Sequence, residues 1–224
     1  MSENVLEVKD LITAFRMEDG EWLRAVDGVS FRVPKGKTVG IVGESGCGKS
    51  VTAMSIVGLL PKPMGHVLEG QVMFKGEDLS KADHDRMHEV RGGEIGVVFQ
   101  EPMTALNPLH RIGKQISEAL ILHRGLSKRE ALIEAVDLLE KVGIPAPERR
   151  VLEYPHQLSG GMRQRVVIAI ALACKPDLLI ADEPTTALDV TVQSQILDLM
   201  KDLQNEMGME TTTWSMRWHG NGQK

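Results

Sequence analysis

Short apolar runs open the chain. "VLEVKDLITAF" and "LRAVDGVSFRV" have strand-like length, and the polar "RMEDGEW" between them carries Asp19-Gly20, a turn signal, so the first stretch reads as β-structure. "KTVGIVG" is a compact β-branched run, a candidate buried strand, followed by a Gly-rich turn. A helical pattern then runs from about Lys49 to Leu60, where Pro61 stops it. "GQVMFKGEDL" reads as a hairpin piece and "EIGVVFQ" as a further buried strand.

From about Pro102 to Leu158 the period changes to that of helices. "IGKQISEALILH" is helical, and "SKREALIEAVDLLEKVG" opens with a capping box, Ser127 with Glu130, and closes at Gly143 before Pro145. This part reads as a mostly helical insert. A helix starting near Gly161, a strand "DLLIAD" and a long helix from about Val190 to Met207 follow, with Asp189 as its N-cap and Gly208 as its C-cap. Buried strands alternating with helices predict an α/β core.

Composition narrows the class. Asp plus Glu number 31 against 26 Lys plus Arg, so the formal net charge is −5 and no global field attracts nucleic acid or anionic lipid. The apolar run "SIVGLLPKPMG" is cut by Pro61 and Pro63, well short of a membrane span. The opening "MSENVLEVKD" is acidic and lacks the basic start and apolar centre of a signal peptide. Two cysteines, Cys47 and Cys174, are too few for a disulfide framework, which predicts a reducing compartment.

Candidate chemistry begins at "GESGCGKS", Gly43 to Ser50, which fits G-x-x-x-x-G-K-[ST] between a predicted strand and a predicted helix. Glycines let such a loop turn so tightly that successive backbone N–H groups face phosphate oxygens, and the helix adds its positive end. The candidate phosphate-binding set is Gly43, Glu44, Ser45, Gly46, Cys47, Gly48, Lys49, Ser50 and Val51. In it Lys49 reaches the β- and γ-phosphates and the Ser50 hydroxyl ligates Mg²⁺. A plain Gly-rich turn would not explain Lys-Ser at those two positions. "LLIADE", Leu178 to Glu183, is an apolar strand ending in two carboxylates. Asp182 at its exit suits Mg²⁺, and Glu183, one residue further, suits a general base for an attacking water. Solvated acids at a strand end are the alternative, which the neighbouring phosphate loop disfavours.

"LSGGMRQR", Leu158 to Arg165, places two glycines after a Ser at a predicted helix start, a second anion site that one nucleotide in one chain does not need. With "VFQEPMTALNP" and "YPHQLSGGMRQRVVIAIALACKPDLLIADEPTTALDVTVQSQILDLM", it makes the chain resemble the nucleotide-binding subunits of ABC transporters, and within them the oligopeptide, dipeptide and nickel importer ATPases. The resemblance spans roughly residues 5 to 208. It implies a P-loop NTPase (RecA-like) core with an N-terminal antiparallel β subdomain and an inserted helical subdomain over about 102–160, all within an ATP-binding domain of residues 1–208. It implies ATP and Mg²⁺ as cofactors. Gln100 matches the glutamine that contacts Mg²⁺ and the attacking water. Ser159, Gly160 and Gly161 match the motif that caps ATP held by the opposite subunit. Asp189 matches an interface aspartate, and Phe15 stands where an aromatic stacks on adenine, with a plain strand-core role as its alternative.

The resemblance also implies partners: a second, related ABC ATPase subunit facing this one head to tail, transmembrane permease subunits and, indirectly, a solute-binding protein, with no nucleic acid. The place of work would be peripheral, at the cytoplasmic face of the inner membrane. A soluble ABC ATPase of DNA repair or translation is the rival that "QEPMTALNP" argues against. His84 and His88, four apart, have a ligand-like spacing, but a solvated helix face is favoured because Asp85, not Glu, follows the first His. His156, three residues before Ser159 of the signature, orients that loop at most.

The ending "GMETTTWSMRWHGNGQK" departs from the pattern. After Gly208 the resemblance leads one to expect a buried apolar strand delivering a His before Asp. Here Met216 stands about at that position, and His219, the nearby His, is followed by Gly220. The stretch 209–224 therefore reads as an aberrant, non-family tail and not as a buried strand, as from a reading frame that changes near Met209. Two expectations follow: an ATP-hydrolysing, energy-coupling subunit of an importer for peptides or related solutes, or an ATP-binding fragment without effective hydrolysis.

Overall fold

The computed structural model describes residues 3–100, 102–183, 196, 198–200, 202–203 and 211–217, of which 102, 103 and 211–217 are described by their backbone. The chain divides into two compact units, Met1–Val90 with Glu210–Lys224, and Arg91–Met209.

In the first unit β1 (Asn4–Arg16) and β2 (Trp22–Pro34) pair antiparallel. The predicted turn joins them, closed by Met17 N–H to Glu21 O at 2.8 Å and Glu21 N–H to Asp19 Oδ1 at 3.0 Å. The next strand, β3 (Lys37–Gly43), leads through the Gly-rich loop into α1 (Lys49–Ile56). Then β4 (Gly65–Phe74) turns at Lys75-Gly76 into β5 (Glu77–Asp78), the predicted hairpin. Both turn residues have positive φ, as a two-residue hairpin requires. The antiparallel sheet runs β2-β1-β4-β5. Val5, Leu6, Val8, Leu11, Val72 and Phe74 are buried in it. A buried bond, Thr13 Oγ1 to Ser55 Oγ at 2.9 Å, ties β1 to α1. In α2 (His84–Glu89) the inward residue is Met87, while His84, Asp85 and His88 face solvent.

The structure corrects three expectations here. First, α1 ends at Ile56 and not near Leu60. Gly58, at φ +62°, takes the left-handed position after the cap, with Gly58 N–H on Ser55 O at 3.2 Å and Leu59 N–H on Met54 O at 2.8 Å. That paired closure stops a helix before Pro61 can. Second, β3 is a strand without being buried: its positions are half-buried or exposed, and Val42 is 59% exposed. Third, the stretch expected to lack the buried apolar strand of the resembled family does contain a strand. Thr211–Arg217 is β8, parallel to β3 with seven partners in register, from Lys37↔Thr211 to Gly43↔Arg217. A run of β-branched Thr beside Trp214 carries the strand propensity that an apolar-period reading overlooks.

In the second unit β6 (Ile95–Val98) is followed by α3 (Pro102–Ala105), α4 (Ile112–Arg124), α5 (Lys128–Lys141) and α6 (Pro147–Arg150), the predicted helical insert. The capping box at Ser127 and Glu130 is formed in both directions. The other end of α5 closes at Gly143, with Gly143 N–H on Glu140 O at 2.8 Å and Ile144 N–H on Leu139 O at 2.9 Å. Next, α7 (Gly160–Leu172) precedes β7 (Leu178–Asp182), which is buried throughout and parallel to β6. Ile112, Ile116, Leu120, Ala135, Leu139 and Ile168 form the helical core. The expected long helix from about 190 to 207 lies mostly outside the described residues. Ile196, Met200 and Leu203 within it are helical and buried, spaced four and three apart as one helix face requires.

Candidate nucleotide site

The Gly-rich loop spans the end of β3 and the head of α1. Gly48 is the N-cap of α1, at φ +94°. A Cβ there would run into the carbonyl oxygen of Ala25, so only Gly fits between the loop and β2. Glu44, Ser45, Gly46 and Cys47 are exposed, and Ser50 is half-buried. Lys49 is the buried exception, 7% exposed. Its ammonium donates to Gly43 O at 2.9 Å and Glu44 O at 3.0 Å, and it lies 3.9 Å from Cys47 Sγ. The lysine therefore folds back over the loop that precedes it. Val51 continues the helix. Phe15, near the end of β1, is half-buried, opposite Leu23 on β2 and Gly65 on β4.

In the second unit the register of the parallel pair makes the arrangement. Val98 lies opposite Ala181, so the chain two residues beyond each member of that pair brings Gln100 to Glu183. Gln100 Nε2 donates to Glu183 Oε2 at 3.1 Å. Asp182 and Glu183 are 3% and 6% exposed, so both carboxylates are held away from bulk water. Glu183 has φ +46°, a left-handed conformation that a side-chain-bearing residue adopts at a cost of about 1–3 kcal/mol. It turns the chain out of β7 immediately after Asp182.

The signature begins at Ser159, the N-cap of α7, whose side chain accepts from Met162 N–H at 3.3 Å and not from another residue of the candidate set. Ser159 and Gly160 are exposed. Residues that the sequence reading did not single out hold the approach to them. Gln157 Oε1 accepts from Tyr154 N–H at 2.8 Å, and Arg163 Nε donates to Pro155 O at 2.8 Å. Nothing in a periodicity signals such back-reaching bonds; the one sequence signal is that Arg163 and Arg165 are charges near the head of an apolar helix. His156 is exposed and stacks on Tyr154 with ring centroids 5.7 Å apart. Asp189 and His219 lie outside the described residues.

The donor sets suit the group they were read for. The head of α1 is open backbone with one lysine, which fits phosphate. In the first unit the Ser50 hydroxyl, and in the second the Gln100 amide and the Asp182 carboxylate, offer oxygen, the ligand atom Mg²⁺ takes.

A family model described as ABC transporter matches residues 26–186. The chain belongs to the ABC transporter family. It is 57% identical over 203 residues to the oligopeptide transport ATP-binding protein OppD of Bacillus subtilis, covering 91% of this chain and 56% of that protein. It is 53% identical to the dipeptide transport ATP-binding protein DppD of the same organism, covering 91% of this chain and 61% of that protein. The chain thus spans well under two thirds of the length of these relatives. Among solved structures it is similar to a dimeric ATP-binding cassette in a post-hydrolysis state bound to ADP and Pi, with a TM-score of 0.82 and 32% identity over 96% of this chain and 88% of that one. A cassette of the cbiONQ transporter complex from Clostridium perfringens superposes with a TM-score of 0.77 at 27% identity, covering 97% of this chain and 80% of that one. The fold is therefore that of the ABC ATPase cassettes, with a P-loop core, an antiparallel β subdomain and inserted helices. Among the described residues no helix is long and apolar enough to cross a membrane.

Proposed function

We propose that this chain is the ATP-binding, energy-coupling subunit of an importer for peptides or related solutes, and that it hydrolyses ATP at a head-to-tail interface with a second cassette. The observation that carries the hydrolytic part is the buried Glu183 carboxylate with Gln100 on one of its oxygens. A carboxylate withheld from bulk water and oriented by an amide is prepared to take a proton from a water. Its relatives' names support the peptide class.

In this reading the Lys49 ammonium pairs with phosphate charge, and the loop from Gly43 to Gly48 supplies backbone N–H groups. Phe15 carries the adenine. Ser50, Gln100 and Asp182 would hold Mg²⁺, which would supply positive charge against the phosphates. Ser159, Gly160 and Gly161 meet the nucleotide of the opposite subunit, and Asp189 lies at the same interface. The partners are a related cassette and transmembrane permease subunits, with a solute-binding protein acting through them, and the work is done at the cytoplasmic face of the membrane.

The test is direct. The purified chain should bind ATP with Mg²⁺ and release phosphate, and both should fall in Lys49→Ala. Failure of calorimetry to detect ATP binding would remove the assignment.

A further inference from the structure

The signature loop is anchored at one oxygen. Pro155 O accepts from Leu158 N–H at 3.1 Å, which closes the short turn Pro155–Gln157, and from Arg163 Nε at 2.8 Å. Two donors use both lone pairs of that carbonyl. Arg163 lies in the opening turns of α7, four residues past Ser159, and reaches back eight residues to hold the turn that leads into Ser159. Leu158 between them is 3% exposed, while Ser159 and Gly160 are exposed. An exposed pair is thus fixed on both flanks. Its own cap, Ser159 Oγ to Met162 N–H, is long at 3.3 Å, so the guanidinium bond is the shorter and charge-assisted one. Two residues on, Arg165 Nη1 donates to Val142 O at 2.5 Å, at the end of α5, so α7 is itself tied to the helical insert.

We infer that Arg163 is a positioning residue for the signature: by holding the Pro155 carbonyl it sets where Ser159 and Gly160 stand when they meet a second subunit's nucleotide. This rests on the head-to-tail reading above. Arg163 is not among the candidate nucleotide-binding residues of its own subunit, so its loss should spare binding at the phosphate loop and weaken association. A lysine keeps the charge but lacks the planar Nε–H, and should restore only part.

The experiment uses the full chain carrying Glu183→Gln, with ATP as the probe. Two quantities are read: ATP affinity at a dilution that keeps chains apart, and ATP-driven self-association by sedimentation. Arg163→Met should leave the first unchanged and weaken the second roughly tenfold or more, with Arg163→Lys between it and the parent. Ser159→Arg should lose association too. If Ser159→Arg fails to associate but Arg163→Met associates like the parent, the inference is overturned and the head-to-tail reading stands. If the parent does not associate, the inference, which is read in the dimer of copies, falls; if Ser159→Arg associates normally, the head-to-tail reading falls and the inference with it. A parallel loss of ATP affinity in Arg163→Met would make its role general support of the fold, which also overturns the inference. Should Arg163→Met not fold, Arg163→Lys decides by the same two quantities.

Discussion

Gln100 and Glu183 are joined by one hydrogen bond of 3.1 Å across 83 residues of sequence. The bond follows from a register: β6 and β7 are parallel with Val98 opposite Ala181, and each chain runs two residues further. One side chain is therefore positioned by the end of one strand to act on the end of the next. If Glu183 is the base, Glu183→Gln should lower phosphate release about 10²- to 10⁴-fold while ATP affinity is kept. Stopped-flow phosphate release beside calorimetry checks this, and undiminished turnover would assign the base elsewhere.

Lys49 should act on binding itself, with turnover falling as a consequence. Its ammonium is buried and bonded to two carbonyls of its own loop, ready for an anion with little reorganisation. Removing it leaves phosphate charge unpaired, a loss of a few kcal/mol, on the order of 2–3. Lys49→Ala should therefore bind ATP on the order of a hundredfold more weakly by calorimetry, with an unchanged melting temperature. Equal affinity would deny the loop its phosphate.

Gly48 should be intolerant of even one methyl group. It needs φ +94° and has the Ala25 carbonyl where a Cβ would go. Gly48→Ala should cost more than about 1 kcal/mol and displace the head of α1. A lower Tm together with loss of ATP binding is expected. By contrast Gly46→Ala, also at positive φ but with open space around it, should keep more of both.

Acid should act partly through Glu153. A hydrogen bond from Arg150 holds its carboxyl below the ordinary carboxylate value of 4.5; burial pushes the other way, and the charges of Arg150 and Arg149 add to the lowering. A folded-state pKa that is depressed gives stability that is present above the unfolded value and is lost as pH falls through the folded one. Glu153→Gln should thus be less stable than the parent at neutral pH, and the difference should shrink and disappear as pH falls through the lowered folded-state pKa, below the ordinary carboxylate range. Denaturant melts at several pH values check it. A difference that persists in acid would locate the effect in packing.

Local chemistry was the legible part of this chain. The turn at Asp19-Gly20, the capping box of α5, its closure at Gly143 and the acids ending β7 all depend on neighbours within a few residues, and all are present. What escaped depends on distant partners or on which backbone signal acts first. Pro61 looked like the stop of α1, but Gly58 stops it three residues earlier. The bonds of Gln100 to Glu183 and of Arg163 to Pro155 O have no sequence period to reveal them. The apolar "KTVGIVG" suggested burial, yet its strand is held by backbone pairing while Val42 stays 59% exposed.

That pairing supports the last prediction. β8 meets β3 along seven residues, and β3 ends at Gly43, where the phosphate loop begins. The N–H groups of consecutive strand residues point to opposite edges, so of Thr213 and Trp214 one donates toward β3. Proline has no N–H, so Thr213→Pro and Trp214→Pro together sample both edges. At least one should lose a ladder bond and cost about 1–3 kcal/mol, lowering Tm by several degrees. The same variant should weaken ATP binding, because a loosened β3 lets the Gly43 carbonyl leave Lys49. Circular-dichroism melts and ATP titrations of the two variants decide the matter. Unchanged values in both would return the stretch to its sequence reading, in which residues 209–224 add no strand.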